Sequence, residues 1–389
     1  MNVLIHNARI VKPGAGISNG SVLVRDGHIV AVGEVDTATS DEVPVVDGGG
    51  RLLTPGLIDL HTHGVDTALY ERSEEDYFAA ARVLPKFGNT CVLPTLYRVM
   101  NRPSLKLLER FADTLPKVKE VSMPGFHLEG PFLALPGAGA DTIPGDVVLL
   151  EELIAACRGR VLAMSISPDT KNIIPVIERL VAHKITPLMT HTAATAEQTQ
   201  AAIDAGASHA THFYDVFPAP EVTEPGVRPV GTVEAILADP RVTVDFVCDG
   251  VHASPFAIRA ALAAKGWQGV VLITDSNIGA GLLPGVYDTP WGFKVRVRDG
   301  DGARHDEKNT LAGSALTMDR GIVNLFNWLK IPPEQVWAMG TLNPARVLGL
   351  ERKGRIAPGA DADLVLWNED LTAAHTWVNG ISVYEKSAG

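Results

Sequence analysis

Eight short apolar runs, each followed by a stretch long enough for a helix, constrain this chain more than any other feature. The runs are GLIDLHTH (56–63), TCVLPTL (90–96), PGFHLEG (124–130), VLAMSIS (161–167), TPLMTHT (186–192), SHATHFY (208–214), VTVDFVCDG (242–250) and VVLITDS (270–276). Between them lie segments such as SEEDYFAAARVLPKFG, TKNIIPVIERLVAHK and TAEQTQAAIDAGA; the last carries apolar residues at helical spacing and stops at Gly206. Alternation of this kind signals an α/β fold with a parallel sheet. Eight units over roughly 300 residues predict a (β/α)8 TIM barrel, with an open doubly wound sheet as the competing arrangement.

The two ends of the chain read differently. NVLIHNARIV, GSVLVRDGHIVAVG and EVPVVDGGG are β-rich pieces broken by Gly, Asp and Pro, and GRIAPGADADLVLWNED and HTWVNGISVYEK return to alternating apolar and polar residues near the other end. Neither end is long enough for a good core alone. Residues 1–52 and 353–389 are therefore expected to combine into one small β-sandwich module flanking a barrel of residues 53–352. The composition, 46% hydrophobic and 20% charged with a net charge of −11, is that of a globular chain without the basic footprint of nucleic-acid binding. Cys91, Cys157 and Cys248 are too few and too scattered for a disulfide framework or a CxxC metal knuckle. No basic leader precedes an apolar stretch and no run of 18 apolar residues occurs, so neither a secretory signal nor a membrane span is expected. A reducing cytoplasm is the expected compartment.

A barrel's chemistry sits at the carboxyl ends of its strands, and here those ends are ionisable. The first run ends in His61 and His63, which as i and i+2 of a strand project to the same face about 7 Å apart. The third ends in Glu129, the fifth in His191, the sixth carries His212, the seventh runs into Asp249 and His252, and the eighth ends in Asp275. Ionisable groups at the rim of a buried barrel cost desolvation unless they pair or hold a metal. Any single one could be a hydrogen-bonded rim residue. Six candidate ligands on five strand ends (His61, His63, Glu129, His191, His212, Asp275) point instead to a divalent metal site. His127 shares a face with Glu129 and reads as a core or supporting group, and His209 begins its strand, remote from the mouth.

Together with these residues, the stretches PGLIDLHTHG, HLEGPF, THTAAT, ATHFYDVF, DGVH, LITDS, LAGSALTMDRGIVNL, NPARVLGL and GRIAPGADADLVLW resemble the amidohydrolase superfamily, in its N-acetylglucosamine-6-phosphate deacetylase branch. The resemblance runs along almost the whole chain. It implies a metal-dependent hydrolase of an N-acyl amide. Glu129, His191 and His212 would hold a principal metal, His61 and His63 a second one, Asp275 would be the acid/base, and His252 would contact substrate. Since two ligands of the first strand lie beside the eighth when a barrel closes, the second site is expected at His61, His63 and Asp275, with Glu129 as a possible bridge. Imidazole and carboxylate ligation suits Zn2+, while Fe2+, Mn2+ and Co2+ accept the same donors. A small-molecule substrate and a homodimer are implied by resemblance alone.

Three positions depart from a sugar-phosphate deacetylase. After HLEGPF, where the family has a Gly-Ala-His that reaches the sugar, Asp141 stands at the histidine; Asp215 replaces an asparagine that helps bind phosphate; and Thr223 precedes Glu-Pro-Gly in place of an arginine. Arg228 is the candidate substitute for that arginine. These departures point to a substrate without the 6-phosphate. The alternatives are another amidohydrolase reaction (deaminase, cyclic amidase or esterase) or a non-catalytic barrel, since the fold alone does not choose.

Overall fold

A computed structural model describes residues 2–35, 43–137 and 139–386. Eight parallel strands form its centre: β1 (Leu57–Thr62), β2 (Asn89–Leu96), β3 (Phe126–Glu129), β4 (Val161–Ile166), β5 (Thr186–Met189), β6 (His209–Ala210), β7 (Thr243–Val247) and β8 (Val270–Ile273). Each pairs with its neighbour in sequence. The sheet closes at the carboxyl ends of β1 and β8, where Thr62 bridges Ser276, Asp275 N donates to His61 O at 2.9 Å, and His63 N donates to Ser276 O at 2.8 Å. Closure, not an open sheet, is what brings the first and last strand ends into one rim. Nearly every residue of the longer strands is buried on both faces, as a barrel jacketed by helices requires.

The jacket helices start where the chain supplies caps. Thr195 and Gln198 form a reciprocal capping box ahead of Ala196–Asp204, and Asp146 accepts from Val148 N and Leu149 N ahead of Val147–Ala156. Leu149, Leu150 and Leu153 of the one helix and Val176, Ile177 and Leu180 of Ile173–Ala182 join the strands in a single core.

The terminal segments do build one β module. Its strands form a continuous eight-stranded sheet in which Leu52–Pro55 lies between Val3–Lys12 and Leu364–Trp367, so the two ends of the chain are joined by backbone hydrogen bonds. The sheet curls until its edge strand His28–Gly33 meets the 359–362 segment through the His28–Asp361 bridge and Ile29 N donating to Ala360 O at 2.9 Å. Its own core includes Ile5, Ile10, Val22, Leu53, Leu364 and Trp377. Only Gly56 separates the module strand ending at Pro55 from β1, and a side chain there would collide with Thr90 of β2. Trp367 carries the module onto the barrel, its ring packed at 5.1 Å and tilted by 40° against Trp337 while its indole N–H donates to Thr54 Oγ1.

A further element escaped the sequence reading. After β8 a small antiparallel sheet of Gly285–Asp288, Lys294–Val297 and Arg304–His305 rises over the barrel mouth on its own apolar cluster of Leu69, Ile278, Val295 and Ala303.

Candidate active site

The rim of the barrel gathers all six strand-end ligand candidates. His61, His63 and Asp275 form one group and Glu129, His191 and His212 another; within each group, ligand atoms lie within 4.8 Å of one another. Glu129 joins the two. Its Oε1 is 3.3 Å from His191 Nε2 and 3.2 Å from His212 Nε2, and its Oε2 is 3.3 Å from His63 Nε2 and 3.7 Å from His61 Nε2. Asp275 Oδ1 faces the same pair of rings, 3.2 Å from His63 and 3.5 Å from His61.

Each ring is aimed from behind. His63 Nδ1 donates to Thr95 O at 3.2 Å, which leaves the Nε2 lone pair facing Glu129 and Asp275. His61 Nδ1 contacts Thr211 Oγ1 at 2.9 Å. Leu135 N donates to His191 O at 2.9 Å, and the ring is so close to Gly137 that a β-carbon there would sit 2.6 Å from Nδ1. His191, His212 and Asp275 each lie just past a strand end with positive φ (48°, 35° and 47°). Non-glycine residues rarely adopt that region, and strain of this kind gathers where a site needs a side chain turned inward.

The electrostatics suit cations. Burial works against ionisation of Glu129, yet His61, His191 and His212 hold its carboxyl well below the usual range. Asp275 is likewise lowered, against burial, by His61 and His63. Burial opposes charge on His212 and His63, but the Glu129 carboxylate draws the first up to about 10, and Asp275 with Glu129 raises the second well above its ordinary value. Both carboxylates, Glu129 buried and Asp275 partly so, thus stay anionic, facing imidazoles. His61 Nε2 and Glu129 Oε2, both buried, have no hydrogen-bond partner among the described residues. Nitrogen and oxygen donors converging with unused lone pairs fit divalent cations.

The groups open into a cavity of about 500 Å³. Its lining includes Asp215 and His252 from the sequence reading. His252 Nδ1 is 2.6 Å from Asp249 Oδ2; burial opposes charge on the ring, and Asp249 raises its pKa nonetheless. Arg228 is not there: its side chain is 88% exposed and contacts Glu234 at 3.3 Å, because the 221–228 segment lies on the outer surface. Asp141 is also exposed and outside the lining. The wall holds residues the sequence reading passed over: Tyr97 and Arg98 after β2, Asn277 after β8, and Trp291 and Phe293 in the turn between the first two strands of the small sheet. The alternation in WGFKVRV was the available signal for that sheet.

Two buried aspartates were also missed. Asp59 in β1 accepts from Thr274 Oγ1 at 2.5 Å and Thr274 N at 3.3 Å, tying β1 to β8 beneath the rim; burial pushes its pKa up to about 7 against those donors. Asp245 in β7 accepts from His212 N through Oδ1 and lies 2.9 Å from His209 Nε2 through Oδ2, with both side chains fully buried. His127, between Ser165 Oγ at 2.8 Å and the His61 ring at 4.5 Å, is a supporting core group whose pKa burial holds well below the ordinary histidine value. A lone acid inside an apolar strand, as in LIDLH and VTVDFV, must have a buried partner; that was the signal.

A closed (β/α)8 barrel with two candidate divalent-metal groups bridged by one glutamate at its mouth defines the class as a metal-site barrel hydrolase. The model of the amidohydrolase family matches residues 52–383, and the chain belongs to that family. It is similar to N-acetylglucosamine-6-phosphate deacetylase of Bacillus subtilis (strain 168), 31% identical over 391 residues covering 97% of this chain and 96% of that one. N-acetylgalactosamine-6-phosphate deacetylase of Escherichia coli O157:H7 is 27% identical, covering 98% and 99%. Among solved structures, N-acetyl-D-glucosamine-6-phosphate deacetylase of Mycobacterium smegmatis superposes with a TM-score of 0.85 at 26% identity, over 99% of this chain and 100% of that chain.

Proposed function

We propose that this chain hydrolyses the N-acetyl amide of a small N-acylated amine, as a metal-dependent deacetylase whose substrate lacks the 6-phosphate. The observation that carries the proposal is Glu129, each of whose oxygens faces a separate group of candidate ligands. Glu129, His191 and His212 would hold a principal cation, and His61, His63 and Asp275 a second. Zn2+ is the ion proposed, with Fe2+, Mn2+ and Co2+ as the alternatives that share these donors. When bound, such an ion supplies acidified water and a polarised amide carbonyl.

The chain's own residues do the rest. Asp275 Oδ1, at the cavity floor and 18% exposed, takes a proton from the attacking water and returns it to the leaving nitrogen. His252, held through Nδ1 by Asp249, turns Nε2 to the cavity as a donor to substrate oxygen. Trp291 and Phe293 limit water access above. Asp215 in the lining and the outward Arg228 support a substrate without phosphate, because a phosphate dianion calls for converging cationic donors. Residues 53–352 would be the catalytic unit, acting as a homodimer in the cytoplasm; sedimentation tests the dimer. The function is tested by acetate release from N-acetylglucosamine, its 6-phosphate and N-acetyl amino acids by the metal-loaded protein. Release from the unphosphorylated compounds at higher kcat/KM is expected; hydrolysis confined to esters or ring amidines would contradict it.

A further inference from the structure

We propose that Arg98 binds a carboxylate of the substrate, making this enzyme selective for N-acetylated compounds that carry one; this rests on the N-acyl hydrolysis reading above. Among the described residues lining the cavity, Arg98 is the single lysine or arginine. Its side chain makes no hydrogen bond and no ion pair with any described residue. By contrast, Arg72 is held by Asp76, Arg158 by Asp113 and Arg228 by Glu234. An arginine that forms no ion pair beside a catalytic cavity is available to a carboxylate on a ligand.

Its backbone is built for position. The half-buried Glu71 carboxylate accepts from both Tyr97 N at 2.5 Å and Arg98 N at 2.7 Å, pinning the loop after β2 to the loop after β1. Tyr97 in turn packs edge-on against the His63 ring at 4.8 Å. Arg98 therefore follows directly on a residue in contact with a candidate metal ligand. Its Cδ and Nε run past Gly139, 3.8 Å from where a β-carbon would stand, which places the side chain against the loop after β3 at the rim.

The place of Arg98 also decides which way a substrate lies. In an eight-stranded barrel β2 and β6 are on opposite sides of the mouth. Asp215 and the exposed 221–228 segment follow β6, while Arg98 follows β2. An anionic end is drawn toward Arg98 and away from Asp215, with the amide over Asp275 between them. One guanidinium matches a carboxylate by two parallel hydrogen bonds. A phosphate dianion calls for more converging donors than one guanidinium supplies; in the lining Asp215 adds a like charge, and His252 is tied to Asp249.

The test compares N-acetylalanine with N-acetylalaninamide, which differ only in the carboxylate, alongside N-acetylglucosamine 6-phosphate. Metal-loaded wild-type, Arg98→Met and Arg98→Lys proteins are assayed, with metal content measured for each. The wild type is expected to favour the carboxylate over the amide by about ten- to hundredfold in kcat/KM, the range of a charge-assisted hydrogen-bonded pair. Arg98→Met should bring that ratio near one, mostly through KM, and Arg98→Lys should keep part of it. An unchanged ratio in Arg98→Met overturns the assignment, as does a preference for the phosphorylated sugar that depends on Arg98. If no amide is hydrolysed at all, the deacetylase reading fails, and Arg98 is judged by calorimetric binding of the same pair to metal-loaded protein. Equal binding of acid and amide with and without Arg98 then overturns it.

Discussion

The His209–Asp245–His212 line beneath the rim can be broken in two ways that should differ sharply. Replacing Asp245 by Asn keeps an oxygen for His212 N and places an amide N–H against His209 Nε2. The His209 ring accommodates this by carrying its proton on Nδ1, where Thr243 Oγ1 waits at 2.6 Å. Every buried group remains paired, so Asp245→Asn should cost under about 1 kcal/mol. Asp245→Leu fills similar space and leaves two buried polar groups, His212 N and His209 Nε2, without partners in either tautomer of the ring. At about 1–3 kcal/mol each, the loss is about 2–6 kcal/mol. It also frees the backbone that holds His212 at φ 35°, so a cation at Glu129, His191 and His212 should bind more weakly. Urea melts with elemental analysis of the purified variants measure both effects. Equal damage from Asn and Leu, or a Leu variant with unaltered stability and metal content, would refute the reasoning.

Other outcomes follow from the same geometry. Asp275→Asn should lower kcat by at least about 100-fold while metal remains at Glu129, His191 and His212, read by single-turnover assay and elemental analysis. His61→Gln with His63→Gln should reduce bound metal from two ions to one per chain; a wild-type count that starts at one would contradict the second site. Gly137→Ala drives a methyl group into the His191 ring and should lower metal affinity with little change in the melting transition, followed by chelator competition. Lys353→Met strands Asp363, 4% exposed and 2.5 Å from Lys353 Nζ, where the β module meets the barrel; a loss of about 3–5 kcal/mol is expected in denaturant melts.

Much of this arrangement was legible in the sequence because the residues that carry it break a local rule. Histidines and acids at the ends of apolar strands are costly, so His61, His63, Glu129, His191, His212 and Asp275 declared themselves against their neighbours. The barrel was readable because its strand and helix periods alternate eight times, and the joining of the chain's ends because neither end could bury a core alone. What pattern does not carry is which face of a loop looks inward. Arg228 and Arg98 are both single arginines in loops; only tertiary structure turns one out to Glu234 and the other to the cavity. Asp141 was placed by motif offset, and the loop after β3 leaves it exposed. The small sheet over the mouth was missed because its strands are short and its inward residues, Trp291 and Phe293, lie in the turn between two strands instead of within one.

The central claim is that Glu129 joins two groups of residues that would each hold a cation, and that Asp275 serves as acid/base in amide hydrolysis. The most direct test titrates metal-free protein with Zn2+ while following acetate release from N-acetylalanine and N-acetylglucosamine. Turnover should rise with metal to an end point of two equivalents per chain, and Asp275→Asn should bind the principal equivalent without restoring it. Amide hydrolysis that persists in protein stripped of metal, or that is unaffected by Asp275→Asn, would contradict it.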